Sequence, residues 1–234
     1  MQTCVIIDRA TTAEGELLLR RYGADEFTIA IGGRVVMGSR AHLSERELAT
    51  LVCAGLQKKT APRVIVAGLG MGFTLRAALD VLPAAAVVTV VELTPAVVKW
   101  CRGPLAALAG DVLADPRVTA VVGDVFKVLS DATVPFDGIA LDLWQGPFER
   151  NDPVFTDAAL ATCRRALAPG GLFGVWSEQA VGGFERRLAA AGFTAPMKHI
   201  ARRGFRYVNY IAVAPVEERS SRSLRDAPRP KRRS

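Results

Sequence analysis

The sequence predicts an α/β fold, a mostly parallel sheet wound with helices and preceded by a small antiparallel β-region. Three observations carry this. Arg63 to Glu92 reads RVIVAGLGMGFTLRAALDVLPAAAVVTVVE: an apolar strand, a glycine turn, a helical run, a second apolar strand and a terminal acid. That is the pattern of a βαβ unit with a ligand site at the carboxyl ends of its strands. The alternation of strand and helix then continues, giving five strand–helix units in all. Ahead of it, short β-rich runs are separated by glycine turns, the signature of hairpins.

Taken in order, Val5-Ile6-Ile7, Glu16–Arg20, Glu26–Ile31 and Val35–Met37 are strands divided by Gly15, Gly23 and Gly32-Gly33. Ser44, with Glu47 three residues on, predicts a capping box that starts a helix whose apolar face is Leu48, Leu51, Val52 and Leu56. After the βαβ unit, Thr94–Leu108 reads as a helix with Thr94 as cap and Pro95 at its first position. Arg117–Val122 is a strand ending at Gly123-Asp124, and Val125–Leu129 is a short helix. Phe136–Leu141 is a strand ending at Asp142. Asn151-Asp152-Pro153 caps a helix over Pro153–Leu167, which Pro169-Gly170-Gly171 stops. Leu172–Trp176 is a strand, Phe184–Ala191 a helix ended by Gly192, and Phe193–Ile200 and Arg206–Ala214 are strands joined by a short Arg/Gly connection. Two consecutive final strands imply one antiparallel strand inserted near an edge of the sheet. The divisions are a β-region at 1–42, a ligand-binding α/β domain at 43–216 and a tail at 217–234.

At 234 residues and 50% apolar composition the chain can bury a sizeable core. No apolar run reaches the roughly 18 residues of a membrane span, and the N-terminus has no basic start followed by an apolar block. The expected location is therefore cytoplasmic, with no membrane partner. Cys4, Cys53, Cys101 and Cys163 lie outside metal-ligand spacing, and His42 and His199 complete no set. The cysteines read as small hydrophobes, and no metal is expected. Of the net charge of +7, Glu217–Ser234 supplies seven basic against three acidic residues, or +4. This basic tail is expected to be disordered, and nucleic acid is a partner only through it. The exposed β-region has free edges that allow a homodimer, a point the sequence leaves open.

The glycine turn is Gly68-x-Gly70-x-Gly72, with Phe73 where a dinucleotide fingerprint needs its third spacing. A bulky residue there disfavours close packing over a pyrophosphate, and the Lys-Ser/Thr of a P-loop is missing. That leaves a ligand with adenine and ribose but no phosphate to cradle. Glu92, Asp124 and Asp142 end successive strands on one edge of the sheet. Carboxylates there suit a ribose diol, an adenine amino group and a sulfonium or amine cation.

On these residues the chain resembles the spermidine synthase (polyamine aminopropyltransferase) family, within the class I S-adenosylmethionine-dependent methyltransferase fold, over roughly Glu16 to Ala214. The resemblance implies a Rossmann-like, mostly parallel seven-stranded sheet of order 3-2-1-4-5-7-6 with an antiparallel last strand. It implies that Gly68, Gly70, Met71 and Gly72 form the cofactor loop. Glu92, followed by Leu93, would hold the ribose hydroxyls, and Asp124, followed by Val125, would accept from the adenine amine. Asp142, in FDGIALDLWQGP, would be the catalytic acid that handles the attacking amine. The implied donor is S-adenosylmethionine or its decarboxylated form. Departures from the family pattern are also specific. Met71 stands where the loop usually carries an Asp, and Gln145 where the fourth-strand motif usually has a second Asp. No Gln follows Gly32-Gly33, and Ser44, Glu45 and Arg46 occupy the neighbourhood of a usual Tyr-His pair. The cofactor side is mostly kept and the polyamine side mostly lost, which counts against ordinary putrescine aminopropylation.

The expected reaction is in-line displacement at a carbon attached to a sulfonium, moving an aminopropyl or methyl group to a small amine or similar nucleophile. An amine with a pKa of about 10 must lose a proton before it attacks, a task for Asp142. Trp144, Gln145 and Phe148 are the candidate walls of the acceptor pocket, and a tryptophan face also stabilises a cation. Two alternatives are a methyltransferase acting on RNA or protein with help from the tail, and a non-catalytic cofactor-binding subunit.

Overall fold

The computed structural model describes residues 3–143, 156–200 and 207–216. The predicted Asn151-Asp152-Pro153 cap, the Arg/Gly connection and the tail lie outside the described residues. Four strands, β1 (Cys4–Thr12), β2 (Gly15–Tyr22), β3 (Glu26–Ile31) and β4 (Arg34–Gly38), form an antiparallel meander in sequence order. Its central strands are buried on both faces, Leu17 to Leu19 of β2 and Ile29 to Ile31 of β3 being consecutive buried residues. Leu17, Leu19, Phe27, Ile29 and Ile31 enter the same hydrophobic cluster as Val64 and Val66 of the main sheet.

That main sheet has seven strands: β5 (Arg63–Ala67), β6 (Val87–Glu92), β7 (Val118–Val122), β8 (Phe136–Leu141), β9 (Leu167–Ser177), β10 (Thr194–Ile200) and β11 (Val208–Val213). Their spatial order is β10-β11-β9-β8-β5-β6-β7. Numbered from β5, this is the expected 3-2-1-4-5-7-6 arrangement. Pairing from β7 through β9 is parallel, and β11 runs antiparallel to both β9 and β10. The central strand β5 is covered on both faces, which is why it reads as an unbroken apolar run. Val64 and Val66 face one cluster, Ile65 and Ala67 the other.

Among the described residues six α-helices complete the layers: α1 (Leu43–Val52), α2 (Phe73–Val81), α3 (Pro95–Cys101), α4 (Val125–Ser130), α5 (Asp157–Ala166) and α6 (Phe184–Ala190). α1 lies across β8, β9 and β11. It can do so because Gly138 and Gly174 leave room: a Cβ on them would stand 3.0 Å from Val52 and 2.4 Å from Val52 again. Among the described residues no helix is long and apolar enough to cross a membrane.

Three local readings need correction. The capping box at Ser44 is not formed, since α1 begins at Leu43 with His42 as N-cap and no side-chain cap bond. Other partners claim both side chains instead: the Ser44 hydroxyl donates to its neighbour Glu45, and Glu47 accepts from the Asn209 amide across the fold at 3.4 Å. The helix predicted over Thr94–Leu108 stops at Cys101 and resumes as a 3₁₀ turn at Ala106–Ala109. Pro104 removes a donor and restricts Gly103, so the α-helix cannot pass. Finally, β9 starts at Leu167, directly after α5, and the Pro169-Gly170-Gly171 segment is carried inside it as an irregularity between the Phe136↔Leu167 and Gly138↔Leu172 pairs.

Candidate active site

The site is built where β5, β6 and β8 end. Strand register brings the pieces together: the Gly68 N–H donates to the Val91 carbonyl at 2.8 Å, and the Asp142 N–H to the Ala67 carbonyl at 2.8 Å. The glycine loop is therefore wedged between the two neighbouring strand ends. Gly68 has φ +87°, and a Cβ on it would lie 2.0 Å from the Asp142 carbonyl oxygen. Only glycine meets both demands. Gly70 is pressed from the other side, because its Cβ would come within 2.6 Å of Met37 Cε on β4. The Met71 N–H donates to the Met37 sulfur at 3.2 Å, so the β-region holds the loop directly. The Met71 side chain itself is 1% exposed and packs in the core.

Glu92 is anchored by backbone at both oxygens. Leu69 N–H donates to Oε2 at 2.9 Å and Thr94 N–H to Oε1 at 2.8 Å. Each oxygen retains a further acceptor site. Leu93 follows with its side chain 70% exposed, an apolar surface beside the acid. Asp124 caps α4 by accepting from Phe126 N–H at 2.8 Å through Oδ1, which leaves Oδ2 available, and Val125 behind it is buried. Cys101 donates its thiol to the Gly70 carbonyl at 3.2 Å. Burial, with the Glu92 charge adding to it, pushes that thiol up to about 12. Burial does the same to Cys53 and Cys163, so these three are protonated packing groups at neutral pH.

Asp142 terminates β8 beside the loop. Thr74, in the first turn of α2, donates its hydroxyl to Asp142 Oδ2. Desolvation, followed by the nearby charge of Glu45, pushes the Asp142 carboxyl up to about 7, and the Thr74 bond opposes this. Glu45 is a site residue that sequence reasoning placed only as an occupant of a family position. It projects from the first turn of α1 and is 7% exposed. Burial raises its carboxyl as well, against the Ser44 hydroxyl, its own backbone N–H and His42. His42 in turn stacks on Phe73, with centroids 4.4 Å apart. The only sequence signal for Glu45 was an acid next to the helix start; that it faces Asp142 depends on how α1 crosses the sheet. Trp144, Gln145 and Phe148 lie outside the described residues.

A cavity of about 360 Å³ lies elsewhere, lined by Arg40, Arg46, Arg76, Asp25, Glu26 and Asp80 with the His42–Phe73 stack in its wall. Its charges largely satisfy one another, Arg40 to Glu26 at 2.9 Å and Arg76 to Asp80 at 2.7 Å. It includes neither the glycine loop nor the strand-end acids.

The fold is an α/β fold in which the glycine loop and the strand-end acids gather at the carboxyl ends of the parallel strands, the edge at which such folds commonly bind ligands. The spermine/spermidine synthase domain matches residues 46–185, and the chain belongs to that family. A polyamine aminopropyltransferase of Klebsiella pneumoniae is 31% identical over 145 residues, covering 62% of this chain and 50% of that protein. The chain thus spans about half the length of the curated relatives it matches. Spermidine synthase from Thermotoga maritima superposes with a TM-score of 0.73 at 17% identity, over 91% of this chain and 74% of that one. A probable spermidine synthase from Corynebacterium glutamicum gives 0.66 at 25% identity, over 94% and 84%.

Proposed function

We propose that the chain is a transferase that moves an aminopropyl group from decarboxylated S-adenosylmethionine to a small amine. The observation that carries this is the Asp142 carboxyl, desolvated against Thr74 at the strand end beside the glycine loop, with an affinity for protons near neutral pH. The donor set fits an adenosyl ligand. Glu92, held at both oxygens, presents acceptor sites to a ribose diol, Leu93 an apolar surface to a ring, and Asp124 a free oxygen to an amino group. Membership of the spermine/spermidine synthase family supports the same assignment.

A sulfonium donor supplies a carbon already activated toward a good leaving group. The residues of this chain then hold the donor, orient the amine and take up its proton. Asp142 is the group that receives it. Desolvation raises its affinity for that proton, which suits it to take the proton up.

A second reading, methyl transfer from intact S-adenosylmethionine, is favoured by one observation: Met71, buried in the core, puts no carboxylate on the loop for the amino group of an aminopropyl donor. Calorimetry with S-adenosylmethionine, its decarboxylated form and methylthioadenosine separates the two. Preference for the decarboxylated form supports aminopropyl transfer, preference for the intact form supports methyl transfer, and binding of none of them overturns both.

A further inference from the structure

We propose that Glu45 is a second carboxylate of the acceptor site, and that with Asp142 it holds the reacting nitrogen of a cationic amine. The inference rests on the transferase reading and names the group that selects its acceptor.

The placement is architectural. α1 sits on β8 and β9 over Gly138 and Gly174 and packs along α2, and its N-cap His42 stacks on Phe73, next to the Thr74 that bonds Asp142. An acid in a first turn favours the helix terminus, but an exposed one would do so equally well. Glu45 is instead 7% exposed, and its charge acts on the partly buried Asp142, an arrangement that costs free energy unless a positive group compensates. Among the described residues no Lys or Arg forms an ion pair with Glu45 or Asp142. Among the described residues the groups around the pair are the Ser44 and Thr74 hydroxyls, which donate to Glu45 and Asp142 respectively, with His42 from the N-cap, Glu47 and Tyr207. His42 touches Phe73 on its ring face and acts on Glu45 through charge alone. Tyr207 bonds Glu47 and is held protonated, pushed up to about 12 by desolvation and then by Glu47 and Glu45. It therefore brings no positive charge.

A primary ammonium meets this arrangement with three N–H donors. One bonds Asp142 and one Glu45, and the proton lost before attack passes to the pair. The freed lone pair attacks the carbon on sulfur. A C–N bond forms as the C–S bond breaks, and its electrons go to sulfur. The products are a protonated secondary amine and a neutral thioether. A neutral or anionic acceptor would leave the pair uncompensated.

The test uses the full chain with Glu45→Gln and Glu45→Asp. Putrescine and 1-aminobutane are titrated by calorimetry into protein saturated with methylthioadenosine, and methylthioadenosine and decarboxylated S-adenosylmethionine into protein alone. Glu45→Gln is expected to weaken amine binding roughly tenfold or more, with partial recovery in Glu45→Asp, and to change both nucleoside affinities less than about twofold. Carbon-13 NMR of the Asp142 carboxyl, free of any ligand, is expected to show its titration midpoint fall in Glu45→Gln. Unchanged amine affinity, or an unchanged midpoint, overturns the proposal. So does loss of decarboxylated S-adenosylmethionine binding in place of amine binding, because Glu45 would then serve the donor. A parent protein that binds methylthioadenosine but neither amine overturns it too. A parent that binds no nucleoside overturns the transferase reading instead, while the NMR midpoint still reports on the carboxyl pair.

Discussion

Replacing Gly68 by Ala tests whether the glycine loop is pinned against the end of β8. Two costs add at this position. The backbone is at φ +87°, where an L side chain is disfavoured by about 1–2 kcal/mol. The new Cβ would also stand 2.0 Å from the Asp142 carbonyl oxygen and 2.9 Å from its carbon. Neither atom belongs to a flexible side chain, so loop or strand must move, a cost of about 1–3 kcal/mol. Together these give roughly 2–5 kcal/mol, a large share of the 5–15 kcal/mol typical of a domain. Gly55→Ala is the internal control. It has φ +83° and nothing within 4 Å of its Cβ, so only the first cost of about 1–2 kcal/mol applies. Urea unfolding of the two variants should differ by the clash alone. Methylthioadenosine affinity should drop in Gly68→Ala and hold in Gly55→Ala. Equal destabilisation of the two, within about 0.5 kcal/mol, would refute the idea that Gly68 lies on the end of β8.

Other expectations follow from the same geometry. Asp142→Asn should leave methylthioadenosine binding within about twofold and reduce turnover by a factor of about 100 or more, measured as single-turnover rates; retained turnover would remove Asp142 from proton transfer. The Asp142 carboxyl is raised in the folded chain from 3.8 to about 7, so the folded state keeps a proton that the unfolded chain has lost across that interval. The stability this contributes is full below about pH 4, declines as pH rises and levels off above about pH 7. Urea midpoints should therefore fall less steeply over that window in Asp142→Asn, and parallel slopes would show that the carboxyl is not desolvated. Glu92→Gln places an amide N–H₂ against the Leu69 or Thr94 N–H that now donates to the carboxylate. We expect it to weaken methylthioadenosine about tenfold or more by calorimetry, and an unchanged affinity would exclude Glu92 from nucleoside binding.

Much of this was legible in the sequence because it is local. The apolar runs of β5 and β6, the glycines between them and the acids that close β6, β7 and β8 depend on neighbours a few residues away. Two consecutive strands after the last helix also announced an antiparallel strand near one edge, while the full strand order came from the family resemblance. The readings that failed were local propensities overruled by competing partners, near in the chain or across the fold, or by the proline at Pro104. Ser44 and Glu47 form a capping box on paper, yet Glu45 and Asn209 take their polar atoms.

By itself, then, the sequence determined the α/β alternation, the loop Gly68–Gly72 and the alignment of Glu92, Asp124 and Asp142 along one edge. Periodicity, turn chemistry and the strand-end position of each acid are properties of short segments. Only the tertiary structure decided what surrounds those acids. It brought Thr74 to Asp142, put Met37 against Gly70, sent Met71 into the core and turned Glu45 toward the end of β8. Each of those contacts joins separate elements, and its existence depends on how closely α1, α2 and β4 pack on the sheet, which no single segment encodes.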